Sequence, residues 1–462
     1  MATLNPALLE LLAQRTGGTG SAAFNRAVAS TVAASPLGMD DTAGGDGFAA
    51  DAPRGVVGAL PPALGRLIGG VPARLTGEDR LRALSSGLAR MDTHDMERLR
   101  EVVETFVTRM LDLGASDIDA GGPACNGRVW YRVNGDKAPR EEMGTFSVDE
   151  TNALFLALLN DPQQRVLFEA CSIDFSFELP FVGSDGRHRR FRATCYFDQD
   201  QLALNMRAIT DQVRPLVSME FHPEIERRLL FRHERDGLTL VTGVTGSGKS
   251  STLDAIVDAN NIDSAAHIVI VGKPIEYVHT SKRSIVRHRE VGRDVPTFKE
   301  GIVQALRQDP DIVVIGEMRD PETISSALEI TDSGHKVFST LHTSSAVESI
   351  DRIIGEYAHE EQERIRNRLA DVLRCIVSQK LAPKIGGGRV LCKEVLWMTP
   401  SARAAVKNNN SGEAYQMMWE GAALGMTTME QDLARLVRQR MITPETAFSY
   451  ANNKRRMQQL MG

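Results

Sequence analysis

The chain has no apolar run of about 18 residues or more, so no segment is expected to cross a bilayer as a helix. It opens without a basic stretch leading into an apolar one, so a secretory leader is not expected either. Paired cysteines are missing. Cys125, Cys171, Cys195, Cys375 and Cys392 are scattered and form no Cys-x-x-Cys motif. That argues against a disulfide scaffold or a cysteine zinc site and fits thiols in a reducing, cytoplasmic compartment. Positive charge is not in excess. A net charge of −6 offers no polyanion-binding surface overall, and no nucleic-acid partner is expected. What is present, 42% apolar and 25% charged residues, is the balance of a soluble protein. A length of 462 residues exceeds one hydrophobic core and calls for two or three domains.

Residues 1–60 stand apart. Leu4, Leu8, Leu11 and Leu12 sketch a short helix, after which Gly, Ala, Ser and Thr dominate up to Asp51. So little apolar surface does not offset the entropy of ordering, and a flexible extension is expected, either a plain tail or a tethered docking helix. Residues 61–215 read as a small α+β domain behind leading helices. Met96, Leu99, Val103, Phe106 and Met110 recur at helical spacing and Gly114 closes that helix. Strand-like runs follow at 127–133, 175–180, 189–197 and 202–209, with an amphipathic segment at 148–159 and turn pairs Asn134-Gly135 and Asp185-Gly186. Residues 211–230 look like a linker and a helix. From Leu238 the pattern becomes apolar strands (238–241, 267–271, 312–315, 336–340) alternating with helices, as in a parallel sheet covered on both faces. That α/β domain is expected to span 216–398, and 399–462 to be helical.

The stretch Gly243-Val-Thr245-Gly246-Ser247-Gly248-Lys249-Ser250 satisfies G-x-x-x-x-G-K-[ST] in full. Its glycines let backbone N–H groups face phosphate oxygens, Lys249 carries charge to the β/γ-phosphates, and the Ser250 hydroxyl suits Mg²⁺. A strand precedes the loop and a helix beginning near Ser251 follows it, aiming its positive end at the phosphates. ATP and Mg²⁺ are the expected ligands.

An apolar strand then ends in Gly316-Glu317-Met-Arg-Asp320. Carboxyl ends of parallel strands collect catalytic groups, so Glu317 is placed to hold Mg²⁺ or polarise water, whereas Asp320 before Pro321 suits a helix cap. Glu276, after the strand at 267–271, reads from pattern alone either as a catalytic acid or as a surface ion-pair partner. His335 and His342 bracket the strand at 336–340, and each reads either as a phosphate contact or as a satisfied core histidine.

Together these residues resemble the type II/IV secretion ATPases, and their order and spacing are most similar to the type IV pilus retraction ATPases. The resemblance rests on the 243–250 loop, Lys273-Pro-Ile-Glu-Tyr-Val, Arg289-Glu-Val-Gly-Arg293-Asp, Leu306-Arg-Gln-Asp-Pro-Asp311, Gly316-Glu-Met-Arg-Asp320 and Thr340-Leu-His-Thr343. It implies a PAS-like N-terminal domain, a RecA-like P-loop domain and a helical C-terminal segment. It also implies Glu317 as the Walker B acid, Glu276 as the catalytic base, His342 and His335 as the histidine pair, and Arg192 and Arg207 as arginines reaching a nucleotide across a boundary. Without the resemblance, the two arginines read as surface strand charges. The implied assembly is a homo-hexamer that hydrolyses ATP to drive pilus dynamics, chiefly retraction. It would sit at the cytoplasmic face of the inner membrane through a platform protein of the pilus or secretion machine. Secretion or conjugation, or an ATP-binding assembly partner with weak turnover, are the alternatives. One departure bears on the last of these. Where the family usually reads Glu-Asp-Pro-(Ile/Val)-Glu, this chain has Gly272-Lys273-Pro274-Ile275-Glu276. A second replaces the retraction family's Ala-Ile-Arg-x-Leu-Ile with Ala-Val-Lys-Asn-Asn-Asn within 404–412.

Overall fold

The computed structural model describes residues 59–133, 136–179, 189–209 and 212–462. The leucine-bearing segment and the turn pairs Asn134-Gly135 and Asp185-Gly186 lie outside them.

Three helices, α1 (Pro62–Gly70), α2 (Gly77–Leu88) and α3 (Thr93–Asp112), lead into the first sheet. Asp92 caps α3 by accepting from the Asp95 N–H, and the stripe Leu99, Val103, Phe106 and Met110 is buried as its spacing requires. Gly114, at φ +60°, turns the chain out of the helix. Strands β1 (Asp117–Gly121), β2 (Trp130–Val133) and β3 (Asp136–Pro139) come next, then helices α4 (Val148–Leu158) and α5 (Asp161–Ala170). Strands β4 (Ser172–Leu179), β5 (Arg189–Asp198) and β6 (Gln201–Ala208) complete an antiparallel sheet in the order β3-β2-β1-β6-β5-β4. Seven residues of α4 in succession, Thr151 to Ala157, are buried, so this helix is central rather than amphipathic. The sheet alternates cleanly. Phe175, Phe191, Ala193, Cys195, Leu204 and Met206 join the helices in one core, which leaves Ser176, Arg190, Arg192 and Arg207 on the other face.

Helix α6 (Pro223–Leu229) opens the second body. Its sheet runs β13-β12-β7-β11-β10-β8-β9 and is parallel except for the last strand, β13. The elements in chain order are β7 (Gly237–Thr242), α7 (Lys249–Asp263), β8 (His267–Gly272), β9 (Ile285–Glu290), α8 (Phe298–Ala305), β10 (Ile312–Ile315), α9 (Pro321–Asp332), β11 (Lys336–Leu341), α10 (Ala346–Gly355), α11 (His359–Val372), β12 (Leu373–Pro383) and β13 (Arg389–Trp397). β7, β10 and β11 are buried at every position, and β10 accordingly reads as an unbroken apolar run, while β7 and β11 bury Thr239, Thr242, Lys336, Ser339 and Thr340 among their apolar residues. The architecture is mixed α/β with a largely parallel sheet. Helices α12 (Pro400–Lys407), α13 (Ser411–Glu420), α14 (Met429–Arg438), α15 (Pro444–Tyr450) and α16 (Lys454–Met461) follow. Met429, Leu433, Leu436 and Met457 from these helices pack on Ala382 of β12 and Cys392 of β13.

Candidate functional site

All the parallel strands deliver their carboxyl ends to one edge, and the chemistry gathers there. The loop after β7 turns through glycines at φ +152° (Gly243), +79° (Gly246) and +89° (Gly248) before α7 begins at Lys249. A Cβ on Gly243 would lie 2.4 Å from Ser247 Oγ and 2.5 Å from the Gln379 carbonyl, so no other residue fits that position. Val244, Thr245 and Gly246 form the exposed rim of the loop, and Ser250 and Ser251 stand exposed on the first turn of α7. Lys249 is buried and its Nζ donates to the carbonyls of Gly243 (2.8 Å) and Val244 (3.2 Å). Burial lowers the pKa of this ammonium, while Glu317 and Glu276 oppose that shift.

Two buried polar atoms border the loop without a protein partner, Ser247 Oγ and Gln379 Oε1. The Gln379 Nε2 is engaged, donating to the Ser247 carbonyl at 2.8 Å. A cation held by its own loop, the free amides of a helix N-terminus and unpaired polar atoms make a cradle that fits a polyphosphate. Gln379 carried no signal in the sequence, because its role depends on β12 lying beside β7.

Gly316 packs so tightly that a Cβ on it would stand 3.2 Å from Gly272 Cα, joining the ends of β10 and β8. Glu317, just beyond, meets Arg319 (Oε2 to Nη2, 2.7 Å) and His342 (Oε1 to Nε2, 3.3 Å). Burial and the neighbouring Lys249 lower the His342 pKa against the pull of Glu317, which favours a neutral ring at neutral pH. Asp320 caps α9 by accepting from the Thr323 N–H at 2.8 Å.

Glu276 lies on the loop after β8, past a cis Lys273–Pro274 bond, with the Lys273 side chain exposed. Its Oε1 sits 3.2 Å from Arg192 Nη1 on β5. The N-terminal sheet therefore reaches the edge of the parallel sheet within one chain. Arg207 is the cross-strand neighbour of Arg192, yet its guanidinium turns to Asp117 (2.6 and 2.8 Å) and is not joined to Glu276. Burial works against ionisation of Asp117, but hydrogen bonds from Ser116 and Arg207 hold its pKa below the ordinary value. His335 is placed at the opposite end. It precedes β11, its ring Nδ1 meets Ser333 Oγ (2.9 Å) and the Ile330 carbonyl (3.1 Å), and its carbonyl accepts from Gly237 at the start of β7. Six residues of strand, roughly 20 Å, separate it from the phosphate loop. The structure thus gathers Lys249, Glu317, His342, Glu276 and Arg192, and leaves Arg207 and His335 outside that group. Among the described residues no group of three or more His, Cys, Asp or Glu side chains is arranged to hold a metal by itself.

Comparison with known proteins agrees with this geometry. The family model described as type II/IV secretion system protein matches residues 203–460. The type IV pilus retractation ATPase PilT of Pseudomonas aeruginosa is 39% identical over 339 residues, covering 72% of this chain and 93% of that protein. A twitching motility protein of Neisseria gonorrhoeae is 37% identical over 327 residues, covering 71% and 85%. Among solved structures, the pilus retraction motor PilT with bound ADP superposes with a TM-score of 0.67 at 33% identity, covering 77% of this chain and 99% of that one. The ATPase DotB of Legionella pneumophila gives a TM-score of 0.63 at 26% identity, covering 74% and 94%.

Proposed function

This chain belongs to the type II/IV secretion system protein family and is an ATP-hydrolysing enzyme, and from that premise we propose that it is the motor subunit that drives type IV pilus retraction. The observation that carries the reading is the meeting of Glu276, on the parallel sheet, with Arg192, on the N-terminal sheet, at the edge where the phosphate loop opens. ATP lies with its phosphates on residues 243–251, where Lys249 leaves its loop carbonyls for phosphate oxygens. Glu276 orients and deprotonates the attacking water, and His342 and Glu317 flank the departing phosphate. The hard oxygen donors Ser250 and, through water, Glu317 would hold Mg²⁺, which would neutralise phosphate charge. Arg192 and Arg207 add cationic charge across the domain boundary.

The domains of this reading are a 1–60 extension, a PAS-like domain at 61–215, a RecA-like domain at 216–398 and a helical segment at 399–462. The separate cores of Leu64–Met206 and of the parallel-sheet body from Leu216 onward support the boundary near 215, whereas Ala402, Val406, Ala414, Met418 and Met426 of the last segment share the parallel-sheet core. Six copies form a ring on the cytoplasmic face of the inner membrane, docked to the platform protein of a pilus. A second reading, an ATP-binding assembly partner with weak turnover, is favoured by Gly272-Lys273 in place of two acids. Phosphate release from the purified full-length chain with Mg²⁺ and ATP, measured beside its mass by light scattering, tests both. Steady turnover by a six-copy species is expected. A monomer, or a ring that binds ATP without releasing phosphate, would overturn the motor reading.

A further inference from the structure

Glu290 stands at the carboxyl end of β9, paired with Gly272 in register, and is buried to 6% exposure. Its sequence neighbourhood, Arg289-Glu290-Val-Gly-Arg293-Asp, belongs to the motifs that carry the family resemblance but has so far had no task in the site. Its Oε2 accepts from the Ser176 hydroxyl on β4 at 2.8 Å and from the Ile275 backbone N–H at 3.2 Å, with Arg190 Nη2 of β5 at 3.7 Å. The same Arg190 nitrogen donates to the Ile275 carbonyl at 3.1 Å and to Ser176 Oγ at 2.8 Å. Both polar backbone groups of the residue immediately before Glu276 are therefore gripped, one by Glu290 and one by Arg190.

We propose that Glu290 is a positioning residue for ATP hydrolysis: it fixes the Ile275–Glu276 backbone against the N-terminal sheet and so sets where the Glu276 carboxylate points. A buried carboxylate is costly unless several donors converge on it. Here they come from both bodies of the molecule, and the residue held between them is not a structural strand residue but the neighbour of the proposed base. Ser176 and Arg192 are cross-strand partners, and Arg190 lies two residues from Arg192 on the same face. The Ser176–Glu290 and Arg192–Glu276 contacts are thus two adjacent bridges between the same ribbon and the same loop. Displacement of a reacting group by about 1 Å costs on the order of a hundredfold in rate, so a bridge beside the base acts on turnover more than on nucleotide affinity.

This inference rests on Glu276 being the base, and the experiment separates the two. Steady-state turnover, affinity for a fluorescent non-hydrolysable ATP analogue and thermal unfolding are measured on full-length wild type, Glu276→Ala, Glu290→Ala, Glu290→Gln and the Glu276→Ala/Glu290→Ala double variant. Glu290→Ala is expected to lower kcat by about tenfold or more with analogue affinity changed less than about threefold. Glu290→Gln should recover most of that loss, because its amide oxygen still accepts from Ile275 and Ser176. The double variant should be no slower than Glu276→Ala, since a residue acting through Glu276 has nothing further to remove. If Glu290→Ala does not fold, Ser176→Ala and Arg190→Ala each strip one partner from the same contact and carry the same comparison. Full activity in Glu276→Ala would sink the base assignment. A slow Glu276→Ala beside an unaffected Glu290→Ala, or additive losses in the double variant, would overturn the positioning role alone.

Discussion

Lys249 illustrates how a single side chain serves two states. In the described structure its ammonium is buried and spends its hydrogen bonds on the Gly243 and Val244 carbonyls, which keeps the loop closed on itself. A triphosphate offers stronger, charge-assisted partners at the same place. Removing the cation should cost about 3 kcal/mol of binding, roughly a hundredfold in affinity. Titration of Lys249→Ala with a fluorescent ATP analogue checks this, and affinity within twofold of wild type would refute the phosphate-loop assignment. In the proposed mechanism Glu317 and Glu276 act where charge changes during hydrolysis rather than where the nucleotide first docks. Each alanine variant should keep analogue affinity within a few-fold while turnover drops by about a hundredfold or more. Loss of affinity matching the loss of rate would show that these acids act in binding instead.

At the scale of elements, β9 carries a built-in acid sensitivity. His288 lies on it with its ring parallel to that of His279 at 6.1 Å, and its Nε2 accepts from the His279 backbone N–H at 3.0 Å, a bond that requires the neutral ring. Burial, then the nearby His279 and Arg190, push the His288 pKa down to about 4. In the unfolded chain the ring takes its proton near 6.5. Above that pH both states are neutral; as pH falls toward about 4, only the unfolded chain gains the proton, so stability is lost across that window, by about 3 kcal/mol in all. Urea unfolding at a series of pH values should show this decline, and His288→Gln, whose carbonyl oxygen can still accept, should flatten it. An unchanged pH slope in the variant would place the sensitivity elsewhere. The same strand shows what a sequence hides. Strands β7, β8, β10 and β11 are legible because both of their faces are covered, and the P-loop because its glycines and lysine keep a fixed spacing. β9, at the sheet edge, mixes exposed Ile285 and Arg287 with buried Val286 and Glu290 and has no such run. β12 and β13 escape notice because lysines, a glutamine and a buried glutamate interrupt them, and their partners are distant in sequence: Asp432 stands beside the Lys393 ammonium, and Glu394 accepts from the Ala346 N–H. Gln379, Glu290, Ser176 and Arg190 matter through contacts more than a dozen residues away in sequence, and spacing carries no trace of those.

At the scale of the whole molecule, the arrangement asks for movement. The phosphate loop supplies one cation and a set of amides from the parallel-sheet body alone, whereas phosphoryl transfer needs positive charge where the γ-phosphate departs, and arginines so placed contribute on the order of a thousandfold or more. Arg192 already crosses from the other sheet, but its present partner is Glu276 at 3.2 Å, so its guanidinium is engaged with a carboxylate rather than free for phosphate. Arg207 is 65% exposed at its side chain and is spent on Asp117. On the proposed mechanism a working site requires the N-terminal sheet to shift once ATP arrives, freeing Glu276 and redirecting guanidinium toward phosphate. The Glu290 contacts restrain how far it travels, and the residues between β6 and α6 join the two bodies. In a closed ring such a shift presses on the neighbouring copy, so turnover in one subunit depends on the nucleotide in the next. Lys249→Ala subunits, which cannot draw the sheets together, should then poison wild-type neighbours when mixed into common rings. ATPase rate plotted against the fraction of variant should fall well below the straight line joining the two pure samples. A rate that follows that line would mean that each subunit completes its cycle alone, and a motor that works by passing closure around a ring would have to be abandoned.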